Sequence, residues 1–380
     1  MIVKLGDICS FQSGGTPSRR NPEYFSGNIP WITTTALNGK KIGRNDAVAL
    51  ITEQAVAESA AKIVPAGSIM VGTRVGVGKV AINTEVMSTS QDIISLLNID
   101  ENVWDKEFLC KFLQSKSSFL NSQARGATIK GIKIDVLSEL DLPVMSKEEQ
   151  THISEIVDNV KKLISIRQQQ LEKLDELVKA RFVEMFGEPF SNPMKWKKVK
   201  IAKTVTVEPQ NGMYKPQSNY VTDGFGTPIL RIDGFYNGKV TSYSTLKRLI
   251  CTDDEKQKYL LKEDDVVINR VNSLEYLGKC AHISGMAEET VYESNMMRMH
   301  FDSNRFNAVY VTHLLCSSFV YDQIVNHAKK AVNQASINQK DVLDFDIYEP
   351  PVELQNQYAT FVKEVDKSKA VEGLYSSLCL

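Results

Sequence analysis

The stretch GTRVGVGKVAI, Gly72 to Ile82, sets three glycines and a lysine within eleven residues, the composition of a loop that cradles phosphate. A nucleotide-binding P-loop needs Gly, four residues, Gly-Lys and then Ser or Thr, so that backbone amides and the lysine surround the phosphates. Here Gly78-Lys79 precedes Val80, and Thr73 stands where the first glycine belongs, so the spacing of a P-loop fails. Other catalytic sets fail as well. The five histidines (His152, His282, His300, His313 and His327) have no metal-ligand spacing with one another or with the cysteines. No Gly-x-Ser-x-Gly elbow occurs. Glu349-Pro350-Pro351-Val352 comes nearest to the Pro-Pro signature of an amino-methyltransferase, but lacks its flanking residues and reads as a helix start. The chain reads as a binding protein with no catalytic residues and no metal.

What the residue types do support is contact with phosphate and with base edges. The formal net charge is −1, so an anionic partner would have to meet local patches. Cations gather in turns: Arg19-Arg20, Lys40-Lys41, Arg74 with Lys79, and Arg125 with Lys130. Farther along come Lys215, Lys239, Arg270 with Lys279, Lys247-Arg248 and Lys329-Lys330. Two polar strands, Thr33-Thr34-Thr35 and Arg231-Ile232-Asp233, and Asn272 add side chains able to address base edges. Phosphate contacts position a protein on DNA, whereas base contacts specify the sequence.

The elements that carry these residues occur twice. VKLGDICSFQSGGTPS (residues 3–18) has a counterpart in VKIAKTVTVEPQNGMYKPQS (199–218), and IPWITTTALNGKKI (29–42) in TPILRIDGFYNGKV (227–240). Asn38-Gly39 and Asn237-Gly238 are tight-turn signals. VPAGSIMVGTRVGVGKVAI (64–82) pairs with LKEDDVVINRVNSLEYLGKCAHI (261–283), which matches Arg74 to Arg270 and makes each Gly-Lys the close of a hairpin. FLCKFLQS (108–115) resembles HLLCSSFV (313–320), and Gln150 matches Gln355. The repeat predicts two domains of like fold, residues 1–147 and 188–350.

Between and after them lie helical segments, 148–187 and 351–380. Ser146 and Glu149 form a capping box, the serine at the N-cap and the acid three residues on. Ile153, Val157, Val160, Ile164, Leu171, Leu174, Val178 and Met185 then recur at alternating spacings of four and three, a heptad seam. Leu354, Tyr358, Phe361, Val365, Val371, Leu374 and Leu378 form a second. Two seams predict an intramolecular antiparallel coiled coil. At 1.5 Å per residue, a helix of nearly forty residues would be a spacer on the order of 55 to 60 Å long. The fold class expected is α+β: two similar β-rich recognition domains with flanking helices, set apart by two long antiparallel helices.

The six cysteines are scattered without a Cys-x-x-Cys pair, MIVKLGDICSF lacks a secretion-signal layout, and no apolar run nears the roughly 20 residues that span a bilayer. These features predict a cytoplasmic protein with no membrane partner.

The ordered set of segments resembles the specificity subunits of type I restriction–modification systems. It comprises VKLGDICSFQSGGTPS, IPWITTTAL, GTRVGVGKVAI, LDLPV followed by EEQ, and LVKARFVEMFGEP closing the long helix before the cycle repeats. The resemblance implies two target-recognition domains, each reading one half of a split, asymmetric double-stranded DNA sequence. It implies helices that dock two methyltransferase subunits, with restriction/translocase subunits joining for cleavage. S-adenosylmethionine, ATP and Mg would bind those partners and not this chain. The rival expectations are a stand-alone DNA methyltransferase or nuclease with its own recognition domains, and a cytosolic protein-binding scaffold.

Overall fold

The computed structural model describes residues 1–126, 130–222 and 224–377, with side chains described through residue 369. The chain divides into two compact units, Met1–Ser165 and Ile166–Leu380. Both are mixed α+β.

The first unit is built on a five-stranded sheet. Its strands are β1 (Ser10–Ser13), β2 (Lys41–Ile42), β3 (Ile69–Gly72), β4 (Val80–Asn83) and β5 (Ile93–Leu97), in the spatial order β1-β5-β3-β4-β2. All neighbours are antiparallel except β2 and β4. Ile69, Val71, Ile94 and Leu96 alternate onto one face and meet Leu109 and Leu113 of helix α1 (Lys106–Ser115). A smaller sheet packs Trp31 and Ile51 against Ala55 and Ala61.

The second unit repeats this plan with β6 (Val205–Asn211), β7 (Gly238–Val240), β8 (Val266–Asn269), β9 (Cys280–His282) and β10 (Met296–Phe301), ordered β6-β10-β8-β9-β7. Again only β7 and β9 run parallel. Phe235–Tyr236 adds a sixth strand through a two-residue turn, and Asn237 and Gly238 both take positive φ (49° and 83°), as a tight hairpin requires.

The long helix α2 covers Lys147–Phe186, and its capping box forms: the Glu149 amide donates to Ser146 Oγ at 3.2 Å, and the Ser146 amide to Glu149 Oε2 at 2.8 Å. Its heptad positions divide between the two cores. In the first unit Gln150 and Ser154 are the buried positions, whereas Ile153, Val160 and Ile164 stand exposed. In the second unit Val178, Phe182 and Phe186 are buried with Tyr310 of helix α3 (Ala308–Leu315) and Tyr358 of helix α4 (Val352–Ser377). Phe182 packs edge-on to Tyr358 and stacks on Tyr310, with ring centroids 5.4 and 5.7 Å apart. Tyr358 lies against Phe186, Phe361 against Arg181 and Lys369 against Asp175, so α4 runs antiparallel to the end of α2. The side chains of Val371 and Leu374, and Leu378 itself, lie outside the described residues.

Candidate nucleic-acid interface

The two units share a backbone hydrogen-bond frame that fixes which residues correspond. In the first, the Gly72 amide donates to Lys79 O and the Gly78 amide to Gly72 O; in the second, the Asn269 amide donates to Lys279 O and the Gly278 amide to Asn269 O. Gly78 and Gly278 both have positive φ (79° and 76°), which only glycine adopts without strain. One residue on, the Thr73 amide donates to Asp92 O and the Arg270 amide to Asn295 O, while the Ile132 and Ile337 amides return to the carbonyls of Thr73 and Arg270. Arg270 therefore corresponds to Thr73, and Arg74 to Val271. This corrects the matching of Arg74 with Arg270: the loops before Gly-Lys differ in length, so aligning on arginine slips the register by one.

Two other pairings shift. Lys239 stands opposite His282 as Lys41 stands opposite Ile82, so Lys41 is its counterpart. The Asp105 amide donates to Gln150 Oε1 and the Asn307 amide to Gln355 Oε1, both at 2.9 Å, so Phe108 corresponds to Tyr310 and not to His313. A three-residue slip along a helix leaves the apolar stripe nearly unchanged, which is why the sequence conceals it. The match of Gln150 with Gln355, and of Thr33-Thr34-Thr35 with Arg231-Ile232-Asp233, agrees with the frame.

In the first unit the candidate cations remain largely available. Arg74 and Arg125, with Lys133 and Gln123, line a cleft of about 640 Å³. Arg125 and Gly131 exchange backbone hydrogen bonds at 2.9 and 3.0 Å, an antiparallel bridge, and the Ile132 amide that follows bonds Thr73 O at 2.8 Å. Arg74 has a distant acid in Asp92, 3.9 Å away. Arg19, Arg20, Lys40, Lys79, Arg125 and Lys130 are exposed and make no ion pair among the described residues. Thr33 and Thr35 share a 2.8 Å hydroxyl hydrogen bond at the surface, whereas Thr34 is buried. Lys41 is engaged elsewhere, bonding Glu107 at 2.7 Å in a cleft formed with Lys111 and Asp158 of α2.

In the second unit the candidates are mostly committed internally. Lys215 pairs with Glu255 at 2.7 Å. Arg231 lies 3.6 Å from Glu293 and 3.8 Å from Asp233, and over the Tyr220 ring. Burial pushes the Glu293 carboxyl above its usual range, although it accepts a 2.6 Å hydrogen bond from the Ile232 amide. Lys239 pairs with Asp366 of α4. Lys279 lies over the Tyr236 and Phe235 rings, 3.9 and 4.7 Å from their centroids, and donates to Ile232 O; desolvation there lowers its pKa. Arg270 donates to Ser294 O at 3.2 Å, and Asn272 Oδ1 accepts from the Ser273 amide. Asp265, fully buried between Arg298 (3.2 Å) and His300 (3.0 Å), was not legible as a partner for either from spacing.

Among the described residues no cluster of three or more His, Cys, Asp or Glu could hold a metal ion, and no helix is long and apolar enough to cross a membrane.

The two units thus repeat one α+β frame, with cations and amides in the loops at its strand ends. Residues 1–176 match the family model of the type I restriction modification DNA specificity domain. The chain as a whole is similar to specificity subunits. It is 28% identical to the type I restriction enzyme MjaIX specificity subunit of Methanocaldococcus jannaschii over 71% of this chain and 65% of that one. It is 23% identical to the MjaVIII specificity subunit of the same organism over 96% and 85%. The aligned part thus spans just under two thirds of the first relative and most of the second. The fold is that of the type I restriction–modification S subunit from M. genitalium, at a TM-score of 0.56 and 13% identity, covering 100% of this chain and 92% of the other.

Proposed function

We propose that the chain is the non-catalytic DNA-specificity subunit of a cytoplasmic type I restriction–modification complex, each unit reading one half of a split, asymmetric duplex target. The observation that carries this reading is the repeated frame, which recurs in the order of its five shared strands and in the hydrogen bonds that close the Gly-Lys hairpin, and which has different side chains at equivalent points. Where the first unit offers Thr33 and Arg74, the second has Arg231 and Val271, and the buried Thr73 is replaced by the half-buried Arg270. Equal frames with unequal readers suit two unlike half-sites. The partners are two methyltransferase subunits and the restriction/translocase subunits, which would bind S-adenosylmethionine, ATP and Mg; this chain supplies address and not chemistry. The test is genome-wide mapping of methylated adenines in cells carrying and lacking the gene. One bipartite motif that disappears with the gene is expected. No lost motif, or one built from two identical halves, would refute the reading.

A further inference from the structure

We infer that, in the second unit, the hairpin Lys329–Ser336 is the ribbon that enters the DNA major groove and reads an A·T pair. This deepens the specificity reading and rests on it. The sequence Lys-Lys-Ala-Val-Asn-Gln-Ala-Ser folds back on itself: Lys329 pairs with Ser336 and Lys330 with Ala335, and the Ala331 amide donates to Gln334 O at 2.7 Å. Val332 and Asn333 make the turn. The base of the hairpin is anchored, since Ala335 is buried and Asn272 and Val271 pair with Ala335 and Ser336. The Ile337 amide then closes on Arg270 O at 3.0 Å. The tip is not anchored, and Val332 is 99% exposed.

What distinguishes this hairpin is the state of its polar side chains. Lys329, Lys330, Asn333 and Gln334 are all exposed and make no side-chain hydrogen bond or ion pair among the described residues. In the same unit Lys215, Arg231, Lys239 and Lys279 are held by carboxylates, rings or carbonyls. A side chain already bonded within the fold must break that bond to meet DNA, whereas these four need break none. The chemistry of the tip is also specific. A two-stranded ribbon fits the major groove, Asn and Gln can bond the N6 and N7 edge of adenine in bidentate fashion, and an exposed apolar side chain can contact the thymine methyl. Lysines at the base of the ribbon would meet the flanking phosphates. In the first unit the Arg125–Gly131 bridge occupies the equivalent position, followed by the Ile132 bond to Thr73 O.

The experiment uses the full chain with its methyltransferase subunits, N333A/Q334A and K329A/K330A variants, and both adenine-methylation mapping and binding to the mapped duplex. Thermal melting of each variant should match the parent, because the altered side chains are exposed and make no hydrogen bond or ion pair among the described residues. N333A/Q334A is expected to relax one A·T position in one half of the target, with roughly 5- to 150-fold lost discrimination there, and to leave the other half intact. K329A/K330A should weaken binding to all sequences alike and make the slope of log affinity against log salt shallower by about 1.8. An unchanged motif with N333A/Q334A, or equal relaxation of both halves, overturns the assignment while leaving the specificity reading standing. Absence of any methylated motif with the parent chain overturns both.

Discussion

Gln355 is the sharpest test of how the second unit is joined to its own helix. Its side chain is fully buried, accepts from the Asn307 amide at 2.9 Å, and donates to Arg305 O at 2.9 Å and Pro350 O at 2.8 Å. One amide thus ties the start of α4 to the N-cap of α3. Gln355→Ala removes three hydrogen bonds and leaves one N–H and two carbonyls without partners where water does not reach. At a net 0.5–1.5 kcal/mol per bond, with incomplete compensation for the orphaned groups, the loss is roughly 2–5 kcal/mol. For a unit of this size that lowers its melting temperature by roughly 5–15 °C. Gln355→Glu separates hydrogen bonding from volume. The carboxylate keeps the bond from Asn307 but faces two carbonyl oxygens, so its folded-state pKa is raised above the unfolded value of about 4.3. The protonated form is favoured in the fold, and stability falls as pH rises through the folded-state pKa. Calorimetry of the full chain at pH 5 and pH 8 should show Q355E melting closer to the parent at the lower pH, with Q355A offset equally at both. A Q355A variant within about 0.5 kcal/mol of the parent would refute the argument that this amide holds the junction.

Further expectations follow from the same contacts. Phe182→Ala empties the space between Phe186, Tyr310 and Tyr358 and should destabilise the second unit by roughly 3–5 kcal/mol in denaturant titration. Gly278→Ala puts a Cβ 2.1 Å from Ile324 Cδ1 at a φ of +76°, and a loss of roughly 2–4 kcal/mol is expected by the same measurement. His313 donates to or accepts from Tyr358 Oη and, by burial and the nearby Lys239, His282 and Lys369 charges, its pKa is lowered from 6.5 to about 4. The unfolded chain takes up a proton before the folded one does, so about 3 kcal/mol should be lost as pH falls from 6.5 to 4 and none beyond. H313Q should flatten that part of a stability–pH curve. Seven residues inserted in α2 after Gln168 keep heptad phase and add about 10.5 Å of helix. If α2 is the ruler, methylation mapping should show the unread gap wider by about three base pairs.

The repeat was legible because its frame depends on residues that cannot be exchanged freely. Glycine at Gly78 and Gly278 answers a positive φ, and Gln150 and Gln355 each satisfy backbone groups that no apolar residue could. The register within the repeat was less legible. Arginine at 74 and 270 is a side-chain likeness, whereas correspondence is set by backbone bonds to Asp92, Asn295, Ile132 and Ile337. The heptad seam of α2 was visible, but periodicity does not say which core a position serves. Val178 is buried and Ile164 exposed although both fit one pattern.

The candidate site was least legible in its charges, for a reason rooted in distance along the chain. Lys239 meets Asp366, Lys215 meets Glu255 and Arg231 meets Glu293, partners that lie 40 to 127 residues away and that no local spacing reveals. A cluster of cations in a turn is therefore only a supply of charge, and the fold decides how much of it remains outside. Of the cations singled out in the sequence, the fold leaves Arg19, Arg20, Lys40, Lys79, Arg125 and Lys130 of the first unit unpaired among the described residues, and in the second Lys247 and the hairpin's Lys329 and Lys330. Each free cation that neutralises a phosphate steepens the salt dependence of binding by about 0.9. The first unit should therefore contribute the larger share of the salt slope, and the second should lean on its Asn333-Gln334 turn for discrimination. Charge-to-alanine changes at Arg125 and Lys130 should then lower affinity for every duplex, whereas Lys239→Ala, whose partner is Asp366, should leave the salt slope where it was.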